Sequence, residues 1–450
     1  MNGQEGSGLK IDVSGIVGRI NQLSVKQKVL LIAILSLVIH LIIASLVNNA
    51  CDDRYWLIIM QNTETGNGSY GLDGNYYTPI WSYLLSAYSM FLKFTCSMTG
   101  WSAMFPSVSW VPLQPTPWMN ILIKLPLIIG NLIVGYLIFK LVQKHTGNDN
   151  KAIVAMCLWC FCPIVVYMAA VQGQFDMLSV LFMLVCIFLL YDDRAFLAGI
   201  MFSASVFLKV FPVLCLLIFI AYLYAKHRND GLILKKILTA AAGAILMTVI
   251  LFIPIIINGE LPIAFGFLLD RAGNSSAFNS VFKIALVLGA IAVMVIYSLK
   301  ISKKKEDLDL TLLLYSGIMM TAANMISAGF QYIPSVIVFV IIFLYLSEDR
   351  HGYKNIYVLM TLSALLEGVF YMGTYGLVMI SEFYGWVDIG LATQSLNVTI
   401  IGPLTTAGLA GIVRAVAVII MFIFELVDTN DSNSWFCRSL NKLRTRGGDT

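Results

Sequence analysis

The chain has 450 residues, of which 59% are hydrophobic and 12% charged, and its mean hydropathy is +0.83. Soluble domains carry about 45–50% apolar and about 25% charged residues, so this composition excludes a soluble globular fold. The net charge is +4, and basic runs such as 303–305 are too short to line a nucleic-acid groove, which argues against a nucleic-acid partner.

The apolar residues fall in long blocks, such as 30–47 and 237–257, that match a bilayer core of about 30 Å. Backbone groups in lipid must pair within their own segment, so we predict an all-α polytopic membrane protein. About twelve spans are expected, in chain order 29–48, 119–142, 152–168, 175–191, 195–209, 211–225, 234–256, 279–299, 309–326, 331–346, 355–380 and 399–427.

We expect a single membrane domain over 29–427, between a cytoplasmic N-terminal arm (1–28) and a cytoplasmic tail (428–450). The segment 49–118 forms the first outer loop. This orientation puts most Lys and Arg residues on the inner side, as the positive-inside rule requires. The membrane would be the cell membrane in a prokaryote or the endoplasmic reticulum in a eukaryote.

The segment 79–97 is apolar enough to span, but counting it as a span would turn every later basic loop outward. We therefore predict an interfacial helix within the first outer loop, with Trp81 at the lipid boundary.

Two neighbouring carboxylates, Asp52 and Asp53, follow the first predicted span directly. They are either a solvated loop start or a functional pair, which would act as a general base or hold a metal. A base there would take a proton from an acceptor hydroxyl, and neighbouring carboxylates raise one another's pKa.

A second polar site comprises the turn 172–176, which ends in Asp176, and Lys209, which precedes Pro212. Asp176 caps a helix or lines a cavity, since ionisable groups at membrane depth are costly. Pro212 breaks the apolar stretch into two helices that meet at the outer face. Lys209 at that junction either snorkels or contacts a lipid phosphate.

Further outer positions are less distinctive. Gln331 and Tyr332 open a span, as a plain polar helix start or as ligand contacts. Arg271 and Lys283 bracket an outer loop, where a headgroup contact is at least as good an explanation as a ligand role.

Several motifs share their order and spacing over about a hundred residues. They are Ile123-Lys124-Leu125-Pro126, Trp159 to Pro163, Gly173-Gln174-Phe175-Asp176, and Phe207-Leu208-Lys209 with Pro212. This order resembles the GT-C class of membrane glycosyltransferases, closest to the mannosyltransferase-like branch related to the second mannosyltransferase of GPI-anchor synthesis. Cys162 stands where the family's "W..NP" segment has asparagine.

The resemblance implies a GT-C-like bundle and inverting transfer of a hexose, in the first place mannose, from a polyprenyl-phosphate carrier. The acceptor would be a lipid-linked or cell-surface glycan on the extracytoplasmic side. Asp53, with Asp52 as the alternate, would be the catalytic base. The donor-binding residues would be Lys209 and Arg271 for the phosphate, Gln174, Asp176 and Gln331 for sugar hydroxyls, and also Tyr332 and Lys124.

No metal ligands are assigned, and a divalent cation is the one cofactor left open. Membrane lipids are the remaining partners. The competing hypotheses are a membrane transporter or lipid flippase, with Asp176 and Lys209 on its path, and a scaffold that has lost catalysis.

Overall fold

The computed structural model describes residues 19–64, 79–96, 116–263, 277–326, 329–347, 350–392 and 394–429. The α-helices run in chain order α1 (Val25–Leu46), α2 (Ala50–Glu64), α3 (Pro79–Cys96), α4 (Pro117–Thr146), α5 (Asp149–Cys160), α6 (Pro163–Val166), α7 (Asp176–Tyr191), α8 (Ala195–Leu208), α9 (Leu216–His227), α10 (Ile233–Ile257), α11 (Ala277–Lys303), α12 (Leu308–Ile326), α13 (Ile333–Leu346), α14 (Arg350–Met372), α15 (Ile389–Ala392) and α16 (Thr406–Asp428).

Short elements join these helices. π-helical turns cover Tyr167–Gln172 and Ile380–Tyr384, and 3₁₀ turns cover Phe211–Cys215, Phe330–Tyr332 and Gly373–Leu377. One small hairpin pairs β1 (Thr399–Ile401) antiparallel with β2 (Leu404–Thr405) just before α16.

The prediction of an all-α polytopic membrane protein is confirmed, but the count of twelve spans is not. Seven described helices are long and apolar enough to cross a membrane, and a helix pair bent by 49° brings the number to eight. The remaining apolar helices, such as α7 with 16 residues, are short because breaks at polar residues divide them. The seven are Val25–Leu46, Pro117–Thr146, Ile233–Ile257, Lys283–Lys303, Leu308–Ile326, His351–Met372 and Thr406–Asp428.

Local sequence sets where the spans begin and end. α1 starts at a capping box in which the backbone N–H of Gln27 donates to the Ser24 hydroxyl and the Gln27 side chain accepts from the Ser24 backbone. α4 starts after Thr116 with proline in its first turn, and it ends at Gly147 in the left-handed conformation.

Among the described glycines, the closest approach to a neighbouring backbone is between α8 and α10. A Cβ added at Gly199 would lie 1.9 Å from the carbonyl oxygen of Ala240, and one at Gly243 would lie 2.0 Å from that of Phe196. Small residues let two backbones approach this closely, which replaces hydrophobic burial as the driving force inside a bilayer.

Two breaks bring polar segments to one end of the bundle. The bent pair α5–α6 is interrupted before Pro163, and its π-helical continuation ends at Gln172. The predicted break after Lys209 is present, since α8 ends at Leu208 and a 3₁₀ turn containing Pro212 leads into α9.

The helix expected in the first outer loop is present as α3, but the expectation for Trp81 is wrong. Its side chain is 1% exposed, because α3 packs on the bundle and places the indole against Phe175. The Tyr83 hydroxyl of the same helix donates to the Leu251 carbonyl of α10. The domain limits 29–427 and the cytoplasmic placement of both termini stay predictions.

Candidate active site

The turn between α6 and α7 is the centre of the candidate site. Gly173 has φ +65°, and its backbone N–H and that of Gln174 both donate to the Met168 carbonyl. Glycine adopts this left-handed conformation without the clash that a Cβ causes. The turn therefore reverses sharply, and Asp176 becomes the first residue of α7.

Asp53 reaches this turn from α2. Its carboxylate is fully buried, and the Lys124 Nζ of α4 lies 3.3 Å from its Oδ2. The same Nζ donates to the Val171 carbonyl at 2.7 Å. A Cβ added at Gly173 would lie 3.0 Å from Asp53 Oδ1, so the backbone of the turn packs directly on the carboxylate.

Trp56 of α2 also contacts the Gly173 turn. One helical turn after Asp53, its indole N–H donates to the Gly173 carbonyl at 3.1 Å. The ring packs edge-on to Trp81 and to Phe175, and those two rings stack 4.9 Å apart. This aromatic cluster excludes water from the base of the site.

A second ion pair lies on the other side of the turn. The Lys209 Nζ is 3.3 Å from Asp176 Oδ1, and both side chains are buried. The ammonium also lies 4.5 Å from the Phe175 ring centre and 5.3 Å from that of Tyr332. Aromatic faces attract a cation, so the 3₁₀ turn before α13 helps to hold Lys209.

The site contains two buried ion pairs, which the Gly173 turn joins. Removing a carboxylate or an ammonium from water costs several kcal/mol, and each group here is compensated by a partner of opposite charge. Inside a low-dielectric pocket such charges act strongly on a developing charge nearby.

Several uncharged polar groups are also available for binding. Side-chain atoms of Asn48, Gln172 and Asn324 are buried without a hydrogen bond from any other described residue. Buried amides without partners are rare in proteins, so they favour hydrogen bonding to water or a ligand. Gln172 borders the turn, Asn48 lies two residues before α2, and Asn324 lies in the last turn of α12.

The described residues hold no group of three or more His, Cys, Asp or Glu side chains placed to bind a metal ion. Asp53 and Asp176 each face an ammonium instead, an arrangement that does not favour a cation between them. The expectation of a divalent cation stays untested, since the Asp52 side chain lies outside the described part of the chain.

The structure brings together most of the predicted site residues. Asp53, Lys124, Asp176 and Lys209 form the two pairs, Gln174 lies in the turn between them and Tyr332 lies over Lys209. Gln331 neighbours Tyr332 and is partly buried.

Three other outer positions are not part of this cluster. Arg271 and the side chain of Asp52 lie outside the described residues, and Lys283 is exposed on α11.

Sequence reasoning missed Trp56 and Phe175. The spacing of Asp53 and Trp56, three residues apart on one helix, was the available signal, because such residues share a face. Phe175 stood inside the motif already selected for its polar neighbours.

Comparison with known proteins identifies the family of this chain. The family model "Glycosyltransferase family 87" matches residues 102–366, more than half of the chain. GPI mannosyltransferase 1 of Saccharomyces cerevisiae is 26% identical over 128 residues, which cover 28% of this chain and 31% of the relative. GPI mannosyltransferase 1 of Candida albicans is 26% identical over 105 residues, covering 23% and 26%.

These relatives carry the name GPI mannosyltransferase 1, whereas the motif order resembled the branch related to the second mannosyltransferase. The alignments cover about a third or less of each relative's length. The family model, by contrast, includes Lys124, the Gly173 turn, Asp176, Lys209 and Tyr332. The chain belongs to glycosyltransferase family 87.

Proposed function

We propose that this protein transfers a hexose, in the first place mannose, from a polyprenyl-phosphate carrier to a lipid-linked or cell-surface acceptor. The transfer takes place on the extracytoplasmic side, with both chain termini in the cytoplasm. The observation that carries the proposal is the joining of two buried ion pairs, Asp53–Lys124 and Asp176–Lys209, by the Gly173 turn. The family assignment and the names of the relatives support a mannosyl donor.

In the proposed reaction, the acceptor hydroxyl attacks the anomeric carbon of the donor sugar while the Asp53 carboxylate takes its proton. A new C–O bond forms at the anomeric carbon, and the bond to the carrier phosphate breaks. The electron pair leaves with the phosphate oxygen. A single displacement of this kind inverts the anomeric configuration.

Lys124 is better suited to positioning Asp53 than to binding the donor. Its ammonium is fully buried and contacts both the Asp53 carboxylate and the Val171 carbonyl. An ammonium here keeps the carboxylate ionised and fixes its direction. The base then faces the turn in the form that accepts a proton.

Lys209 is the group that would compensate the leaving phosphate. Its ammonium has Asp176 on one side and the faces of Phe175 and Tyr332 on the other, so its position is fixed before a donor binds. A cation that is already oriented loses little free energy in reorganising when negative charge develops. Arg271 is proposed as a second phosphate contact.

The test is transfer by the purified full-length chain from synthetic polyprenyl-phosphate mannose, with products identified by mass spectrometry. General bases contribute about 10²- to 10⁴-fold, so Asp53→Asn is expected to lower kcat at least 100-fold. Asp388→Asn, an exposed carboxylate in a late loop, is the matched control and keeps full activity.

If Asp53→Asn kept full transfer and Asp52→Asn lost it, the base would be Asp52 instead. Full activity in the double variant removes the catalytic assignment altogether. A transporter or flippase would instead accumulate substrate in vesicles without any polyprenyl-phosphate donor, and the clustering of the charges at one end of the bundle does not favour such a path.

A further inference from the structure

A second polar cleft lies at the end of the bundle opposite the candidate active site. The two are separated by α7, whose 16 residues run from Asp176 to Tyr191, about 24 Å at 1.5 Å per residue. The cleft has a volume of about 260 Å³. Its walls are the turn at Asp193, the first turn of α8 and the first two turns of α10, and its polar lining residues are Asp193, Arg194, Lys235, Lys236 and Thr239.

The charge in this cleft is mainly positive. Lys236 is paired with the Asp193 carboxylate, which also contacts His227 Nε2 at 2.8 Å. Burial favours a higher pKa for Asp193, but hydrogen bonds to Lys236 and His227 outweigh it and hold the pKa of this carboxyl below its ordinary value. Asp193 is therefore ionised at neutral pH and cancels one of the three cations.

The other two cations are available to a ligand. Neither the Arg194 guanidinium nor the Lys235 ammonium forms a hydrogen bond or ion pair with another side chain or backbone group in the described part of the chain. Both side chains are exposed at the mouth of the cleft. The Thr239 hydroxyl donates to the Lys235 carbonyl at 2.7 Å, which leaves its oxygen able to accept.

Large apolar side chains surround the basic residues on the same two helix starts. Phe196 and Leu197 on α8 are 38% and 41% exposed, and Leu234 and Leu238 on α10 are 68% and 58% exposed. α10 is one of the helices long and apolar enough to span a membrane. The cleft therefore opens where a lipid headgroup region would meet acyl chains.

We propose that this cleft binds the phosphate headgroup of an anionic phospholipid in the leaflet opposite the candidate active site. Arg194 offers a planar donor pair to phosphate oxygens, and Lys235 and Lys236 add charge on the facing helix. A free phosphate shares this chemistry, but it does not use the exposed apolar rim. The proposed occupant has both a phosphate and an acyl chain.

The proposal is independent of the transferase reaction, since none of the cleft residues belongs to the candidate active site. It is tested by native mass spectrometry of the purified full-length protein with phosphatidylglycerol or phosphatidylcholine. Each basic residue near a membrane surface strengthens anionic-lipid binding roughly fivefold, so Arg194→Gln with Lys235→Gln is expected to weaken phosphatidylglycerol binding about 25-fold.

Two further variants distinguish a specific cleft from general surface charge. Lys304→Gln with Lys305→Gln removes the same charge from exposed positions just after α11 and is expected to keep the affinity. Arg194→Lys with Lys235→Arg keeps the charge and is expected to lose much less affinity than the neutral variant, which also shows that these positions tolerate change.

Three outcomes overturn the proposal. They are an equal loss of affinity in the Lys304/Lys305 variant, equal affinity for phosphatidylcholine, and unchanged phosphatidylglycerol binding by Arg194→Gln with Lys235→Gln. The proposal would also be overturned if millimolar inorganic phosphate displaced bound phosphatidylglycerol as effectively as added phosphatidylglycerol does, because the cleft would then bind the anion alone.

Discussion

The ion pairs at the two ends of the bundle differ in how far they are exposed. At the candidate active site the Asp53–Lys124 pair is 0% exposed on both sides, whereas the Lys144–Asp309 pair at the other end is 42% and 33% exposed. An exposed pair contributes about 0–1 kcal/mol, and a buried pair is often no more stabilising than apolar residues of the same volume. Stability alone therefore does not explain the buried pairs, and we propose that their role is chemical.

The largest effect is expected when Lys124 is replaced first alone and then together with its partner Asp53. Lys124→Leu leaves the Asp53 carboxylate buried without its ammonium, so we expect a loss of about 3–5 kcal/mol of stability. Asp53→Leu with Lys124→Leu is expected to regain most of that loss while transfer stays at least 100-fold reduced. Thermal unfolding in detergent and the transfer assay measure the two effects. A double variant as unstable as the single one would show that the pair has a structural role.

The other end contains the close backbone contact between α8 and α10, which Gly199→Ala tests. The added Cβ meets the Ala240 carbonyl oxygen, so a backbone must shift at a cost of about 1–3 kcal/mol. Gly289→Ala is the matched control, because it lies in a helix with nothing within 4 Å of the new Cβ. Equal unfolding midpoints for the two variants would contradict the tight α8–α10 contact.

Alanine variants of Gly173 and Gly147 separate the effect of backbone strain from the effect on transfer. Alanine at a left-handed position costs about 1–2 kcal/mol, and Gly147 has nearly the same φ with nothing within 4 Å. Both variants are therefore expected to lose stability through strain, and Gly173→Ala is expected to lose more, because its Cβ also meets the Asp53 carboxylate. Transfer is expected to fall at least tenfold only in Gly173→Ala, since its Cβ displaces the Asp53 carboxylate. A similar loss of transfer in both variants would assign the effect to strain.

The smallest effect is expected for Lys144→Gln. This change breaks an exposed 2.7 Å contact with Asp309. The free energy of unfolding should therefore change by less than about 1 kcal/mol, and the rate of transfer should not change. A loss comparable to that of Lys124→Leu would remove the distinction between the two ends.

Local features of the site were accessible from the sequence. Pro212 cannot continue a helix and so located the break at Lys209, and the Gly-Gln-Phe-Asp order located the turn. Both lie within a few residues of the groups that they position. The helical class followed from apolar block length, which depends on the bilayer alone.

Long-range pairing was not accessible in the same way. Asp53 lies at the start of the first outer loop and Lys124 lies in the helix that follows this loop, so no local pattern relates them. Trp81 was expected at the lipid boundary because its neighbours are apolar and aromatic, yet tertiary contact with Phe175 buries it. The count of twelve spans is not confirmed for a related reason, since short helices divided by polar breaks do not follow a simple length rule.

The π-helical segment Tyr167–Gln172 makes the site sensitive to the number of residues as well as to their kind. A π-helical turn holds roughly one residue more than an α-helical turn, and it arises from a one-residue insertion into an ordinary helix. Deleting Ala169 would let the segment rewind as an ordinary α-helical turn, which takes up the missing residue and changes the direction of the carbonyls within the segment. The Val171 carbonyl would then no longer be held against the Lys124 ammonium, although every charged side chain would still be present in the chain.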